Sequence, residues 1–275
     1  MNLYYRIRYR LGFFKKKILE FSHNIEWKLM LSNEIRVSKK RLKDLRMKNA
    51  GKRCFVVGNG PSLNKMDLDL MKDEVVIVSN SFYLKFDDLG FTPTYLTVED
   101  RLVAEDNQSE FSQLKGITKV FPYDLSSILK HDDNTIYTNL KRAEVHHTSP
   151  EFPPFSLDCT DKMYWGGTVA YMSIQLAAHL GFTEIYLIGI DLTYSIPKDT
   201  IQKGSVLTSQ SDDPNHFDSR YFGAGKRWHL PEVERMQVSF DKASTELEKK
   251  GIKIFNATVG GNLKNIERVN YNELF

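Results

Sequence analysis

The sequence predicts an α/β protein built on a doubly wound, mostly parallel sheet. Three observations carry that expectation. Short apolar, strand-like runs alternate with helical patterns; four of those runs end directly in glycine, asparagine or acidic residues; and no internal repeat or low-complexity tract interrupts them. A chain of 275 residues buries enough surface to need no disulfide or structural metal. Its two cysteines, Cys54 and Cys159, lack metal-ligand spacing and suit a reducing, cytoplasmic compartment.

The first fifty residues carry 14 Lys and Arg against 4 Asp and Glu, whereas the rest carry 24 against 31. A basic arm, residues 1–50, therefore precedes a mildly acidic body, residues 51–275. In the arm Leu11, Phe13, Phe14, Ile18, Leu19, Phe21, Ile25 and Trp27 mix with Arg6, Arg8, Arg10 and Lys15 to Lys17. That composition suits an amphipathic helix lying on the anionic inner face of the cytoplasmic membrane, or one packing on the body or on another subunit of a homo-oligomer. The apolar runs fall short of the roughly 18 residues a membrane span requires, and the pattern of a secretion signal is missing. No nucleic-acid motif accompanies the charge, so nucleic acid is not an expected partner.

In the body, residues 52–57 read as a strand and "GNGPSL" as a turn opening a helix. Strands follow at 74–82, 92–100 and 117–124, with a shorter one in "NTIYTNL". In residues 166–182, Val169, Met172, Leu176, Ala177 and Leu180 fall at helical spacing and Gly181 is the stop. "EIYLIGID", 184–191, is a strand closed by an aspartate. Residues 192–230 show no strong period, which predicts a functional lid. A helix then opens at Pro231 and stops at Gly251, and "IKIFNAT" is the last strand. A doubly wound sheet sets Gly58-Asn59-Gly60, Ser79-Asn80-Ser81, Glu99-Asp100 and Gly189 to Asp191 on one rim, where such sheets bind ligands.

Gly58 and Gly60 let backbone amides approach a ligand, and the amides opening the next helix favour a phosphate. The stretch is neither G-x-G-x-x-G nor a Walker loop, and a plain turn capped by Ser62 fits the spacing as well.

The order "VVGNGPSL", "VSNSFY", "GGTVAYMSIQLAAHLGFTEIYLIGID" resembles the bacterial sialyltransferases of glycosyltransferase family 42, which use CMP-activated sialic acid. With the tail "IKIFNATVGGNLKNIERVNYNELF" the chain more closely resembles domain-of-unknown-function family 115. That group includes motility-associated glycosylation factors and archaeal 6-hydroxymethylpterin pyrophosphokinases. The resemblance implies a Rossmann-like, sialyltransferase-type nucleotide-binding domain. It further implies that Gly58, Asn59, Gly60 and Ser62 contact the CMP phosphate and ribose and that Asn80 touches the nucleotide. Gly167 and Thr168 would hold the donor, and Asp191 would meet the ribose or cytidine. The family's leaving-group tyrosines follow "GID" directly; here Thr193 takes the nearer position and Tyr194 is shifted by one. Its base histidine aligns with either His216 or His229.

Transfer from a CMP donor needs hydrogen-bond donors at the phosphate and one base of near-neutral pKa. His229 and His216 are the candidates for the base, each also readable as a loop histidine; Tyr194, Tyr221 and Arg227 are candidates to steady the phosphate. His146 and His147 stay undecided, while His23 and His179 read as structural. Lys226-Arg227 beside Gly223 and Gly225 resembles a mobile anion clamp. The expected activity is inverting, metal-independent transfer of a nonulosonate or related sugar from a CMP donor to a surface glycan or lipid-linked acceptor. One alternative is an Mg²⁺-dependent pyrophosphokinase, with Glu99, Asp100 and Asp191 around the metal. Another is a non-catalytic nucleotide-sugar binding module. EDTA separates the two enzymes: assayed turnover persists for the CMP-sugar transferase and is abolished for the pyrophosphokinase.

Overall fold

A computed structural model describes residues 17, 18, 20–142 and 144–275. The arm's aromatic and basic residues before Lys17, together with Leu19, lie outside the described residues. Seven parallel strands form the main sheet: β1 (Arg53–Val57), β2 (Val75–Ser79), β3 (Tyr95–Thr97), β4 (Thr118–Pro122), β5 (Thr135–Thr138), β8 (Glu184–Ile188) and β12 (Lys253–Asn256). Their order across the sheet is β12-β8-β1-β2-β3-β4-β5. β1 therefore pairs with β2 on one side and β8 on the other, and the chain reverses its direction of travel at the β1/β8 boundary. All seven strands lie where the apolar runs predict them, and the sheet is doubly wound.

The strands are apolar runs because both faces of the sheet are covered. On one face lies α5 (Val169–Leu180), buried at every position after Val169. Its polar side chains are satisfied inside the core. Gln175 accepts from the Ser156 and Tyr164 amides and donates to the Tyr164 and Tyr171 carbonyls. On the other face Phe55 stacks on Tyr186 at 5.4 Å and on the C-terminal Phe275 at 5.5 Å. Helix α6 (Val233–Glu248) packs against α5 and β12.

Among the described residues, the N-terminal segment from residue 20 onward packs into this body. Helix α1 (20–29) carries Trp27, and α2 (Asn33–Leu45) carries Ile35 and Leu42, all fully buried. Ser38 of α2 accepts from the Tyr137 amide of β5 at 2.9 Å.

The lid region differs from the expectation of irregular chain. It contains an antiparallel sheet of β9 (Ile201–Lys203), β10 (Val206–Thr208) and β11 (Arg227–His229). Strands of three residues, with only Leu207 and Trp228 buried among them, are too short to display a readable alternation. Two helices that follow β3, α3 (Arg101–Asp106) and α4 (Gln108–Gln113), lie near it, with α3 against β11. Two short strands, β6 (Leu140–Lys141) and β7 (Met163–Tyr164), pair in parallel apart from the main sheet.

His179 ties three of these elements together. Its Nδ1 accepts from the Cys159 amide at 3.2 Å, and Nε2, which carries the proton, donates to the Leu42 carbonyl at 2.9 Å. Burial holds its pKa below the ordinary value, with the Leu42 hydrogen bond and Asp158 opposing. The unfolded chain then takes up the proton first, near pH 6.5, so stability falls as pH drops below that value. In calorimetry the stability gap between wild type and His179→Gln narrows from pH 7.5 to pH 5; a gap independent of pH contradicts the assignment.

Candidate functional site

The β1/β8 boundary builds the floor of the site. The Gly58 amide donates to Ile188 O at 2.8 Å and the Gly60 amide to Gly189 O at 2.9 Å. A Cβ on Gly58 would stand 2.3 Å from Gly189 O, and one on Gly60 would stand 1.8 Å from Asp191 Oδ2. Both glycines are therefore required for contact between the two strand ends. Asp191 fills the space over Gly60: its Oδ1 accepts from the Ser62 amide at 3.2 Å and its Oδ2 from the Ser62 hydroxyl at 2.6 Å.

For three of the turn's amides this corrects the expectation of bare N–H groups awaiting a phosphate. The amides of Gly58, Gly60 and Ser62 all have acceptors within the chain, and Pro61 has none to offer. Ser62 is buried beneath Asp191 and does not line the cavity. Burial raises the Asp191 pKa, with the two Ser62 hydrogen bonds, Lys65 and His216 opposing. A carboxylate at this point suits ribose hydroxyls better than phosphate oxygens.

Asn59 and Asn80 face one shared cavity of about 1310 Å³. Asn59 Nδ2 donates to Ser79 Oγ at 3.0 Å. Asn80 follows β2 in the left-handed region, at φ 50°, which asparagine tolerates better than most residues. Among the described residues the side-chain oxygens of both asparagines are buried without a hydrogen-bond partner. A buried acceptor left so is costly, and a ligand hydroxyl or amino group would satisfy it.

The lid lowers an aromatic group onto this floor. His216 Nδ1 lies 2.6 Å from Asp213 Oδ2, and Asp213 is further held by the Asn215 and Phe222 amides. Tyr221 stacks on the imidazole at 3.9 Å, and the Tyr194 ring stands edge-on at 6.4 Å. Burial raises the Tyr221 hydroxyl pKa, with Asn80 opposing. Desolvation, then Asp191 and Asp213, push the Tyr194 hydroxyl up to about 12, although 37% of that residue meets solvent. Both phenols therefore stay protonated at neutral pH.

His229 lines the same cavity from β11, its Nδ1 2.6 Å from Asp100 Oδ2. Asp100 also caps α3 by accepting from the Leu102 and Val103 amides. Burial would raise the Asp100 pKa, but the bond to His229 and these amides bring it below the ordinary value. Arg227 is a second correction. Its guanidinium pairs with Glu105 and Asp106 of α3, and Lys226 donates to Asp106 O and Asn107 Oδ1. The two cations fasten the lid sheet to the body, form no anion clamp, and Arg227 does not line the cavity.

Gly167, at φ 79°, and Thr168 open α5 into the cavity, and Thr168 caps the helix by accepting from the Ala170 amide. Beside them Arg235 lies over the Trp165 ring at 5.6 Å and pairs with Glu232. Farther along the rim Arg142 binds Glu99 and Asp124 at 3.0 and 2.7 Å. Burial raises the Glu99 pKa and Arg142 opposes it. The acids expected to converge on Mg²⁺ are thus engaged separately, Glu99 by Arg142, Asp100 by His229 and Asp191 by Ser62. Among the described residues no three His, Cys, Asp or Glu side chains come together as a metal site.

Sequence reasoning did not single out Asp213, Arg142, Trp165 or Arg235. The Asp213-Pro214-Asn215-His216 spacing is a local signal for the first; the others come from distant elements.

The sequence profile described as "6-hydroxymethylpterin diphosphokinase MptE-like" matches residues 29–197. The chain belongs to this MptE-like family. The MptE-like match includes the glycine turn, Asn80, Gly167, Thr168, Asp191 and Tyr194, and ends before His216, Tyr221, Arg227 and His229. Among solved structures, a MAf glycosyltransferase from Magnetospirillum magneticum AMB-1 is similar, with a TM-score of 0.48 and 17% identity. The alignment covers 88% of this chain and 39% of that one, so this chain spans well under half the length of that structure. No curated protein matches the chain.

Gly60→Ala forces the Asp191 carboxylate off Ser62. The variant is expected to fold and to lose about 1–3 kcal/mol of stability in thermal unfolding. Adding Asp191→Ala removes the clash with the carboxylate and recovers part of that loss.

Proposed function

We propose that this chain is a glycosyltransferase that moves a nonulosonate or related sugar from a CMP-activated donor to a glycan acceptor. The observation that carries the reading is the His216–Asp213 pair, set under Tyr194 and Tyr221 in the cavity that Asn59, Asn80 and Asp191 floor. The acceptor oxygens of Asn59, Asn80 and Asp191 suit the hydroxyl and amino donors of a nucleoside. The neutral phenols of Tyr194 and Tyr221 suit the phosphate that departs.

In this reading His216 Nε2 takes the proton of the acceptor hydroxyl while Asp213 fixes the tautomer through Nδ1 and steadies the imidazolium. The acceptor oxygen forms a bond to the anomeric carbon as the bond from that carbon to the phosphate oxygen breaks. CMP leaves with the bonding electrons and the centre inverts. His229, more exposed and oriented by Asp100, handles the acceptor at the cavity mouth.

A second reading, diphosphate transfer to a pterin-like alcohol, is favoured by the family description. Mg²⁺ in such enzymes is held largely by substrate phosphates with one or two carboxylates, a role open to Asp100 or Asp191 but not to Glu99, which Arg142 neutralises. Thermal shifts with CMP, CDP, UDP, GDP and ATP, with and without Mg²⁺, test the choice. A preference for CMP that is indifferent to metal is the expected result, and a preference for ATP with metal reverses it. With a CMP-sugar donor, His216→Ala and Asp213→Asn lower kcat by roughly 10²- to 10⁴-fold. His229→Ala mainly raises the acceptor KM.

A further inference from the structure

Helix α1 presents two unlike faces. Trp27 is fully buried, its Nε1 donating to Thr160 O at 3.0 Å, and Glu20 and His23 on the inner side line the substrate cavity. On the outer side Ile18, Phe21, Ile25 and Leu29 recur at helical spacing and are 54%, 64%, 39% and 64% exposed. Met30 and Leu31 continue the apolar surface past the helix end. Packing within the described residues leaves a large part of each of these side chains uncovered.

Charge identifies what covers it. Along the flank of the stripe runs a second cavity of about 400 Å³ lined by Lys17, Lys28, Lys141 and Lys162. Glu20, Glu144 and Asp161 share that lining and Lys162 pairs with Glu144 at 3.3 Å, so the groove keeps a formal excess of one positive charge, within a segment already rich in Lys and Arg. A second copy of this chain, meeting the stripe about a two-fold axis, would set the same lysines against their own counterparts. An anionic surface meets them favourably.

We propose that the outer face of α1 docks this chain on an anionic lipid bilayer. Ile18, Phe21, Ile25 and Leu29 enter the boundary between headgroups and acyl chains, and the lysine groove receives headgroup phosphates. Because the inner face of the same helix lines the substrate cavity, docking brings the cavity beside the bilayer, within reach of an acceptor carried on a lipid. That last step rests on the glycosyltransferase reading; the docking itself does not.

The test is sedimentation of the full chain with phosphatidylglycerol-containing vesicles and with pure phosphatidylcholine vesicles. Wild type is expected to bind the anionic vesicles preferentially and to be released by salt. Phe21→Asp combined with Leu29→Asp lowers the partition coefficient at least about tenfold, and Lys28→Ala lowers it about fivefold. Both variants keep the wild-type melting temperature and the thermal shift with CMP, because none of these residues is in the core or the nucleotide site. Equal sedimentation of wild type and double variant overturns the proposal. So does a wild-type dimer that the double variant splits while neither binds vesicles, which assigns the stripe to a second copy. A wild type that binds vesicles but not CMP leaves the docking standing and removes the donor reading.

Discussion

A carboxylate held where a Cβ would otherwise stand is the contact on which the rest of the site depends. Asp191 ends the β8 turn, lies over Gly60 and accepts both hydrogen bonds that Ser62 can donate. Its own carbonyl accepts from Asn262 at 2.7 Å, and Gly261, at φ 74°, packs against its backbone. The residue is therefore clasped between the first strand turn and the C-terminal tail. The chain leaves this clasp directly into the lid, whose origin is thereby set over the β1/β8 boundary.

The lid returns to the same turn. The Phe217 amide donates to Asn59 O at 3.0 Å, and Asn64 Nδ2 donates to Phe217 O at 2.7 Å. His216, one residue earlier, is thus placed by the backbone of the glycine turn as well as by Asp213. At the far edge Lys226 and Arg227 fasten β11 to α3, which brings His229 to Asp100. Two histidine–carboxylate pairs result, one enclosed among aromatic rings and one at the mouth. Asp213 and the stacked Tyr221 ring orient the first imidazole, and Asp100 orients the second. The rim acids are each matched to a donor, so the cavity presents oriented hydrogen-bonding groups in place of a concentrated negative charge.

Much of the fold was legible along the chain. β1, β2, β4 and β8 are apolar runs because a parallel sheet covered on both faces selects for them, and Gly181 and Gly251 stop α5 and α6 at their predicted places. Gly58, Asn59, Asn80, Gly167, Thr168 and Asp191 were also legible as cavity residues, since each follows a recognisable strand or opens a recognisable helix. The lid was less so. Its three-residue strands carry too little pattern, and the direction of Arg227 depends on acids more than a hundred positions away.

Local residue order thus determined the strands, the helices and the rim on which the polar residues gather, because period and turn chemistry act over a few neighbouring positions. Tertiary structure alone decided that the amides of Gly58, Gly60 and Ser62 are taken by carbonyls and by Asp191, that His216 pairs with Asp213 beneath Tyr221, and that Arg142 neutralises Glu99. Hydrogen bonding and desolvation set the chemistry of each group, and both depend on partners that only folding brings within 3 Å or so.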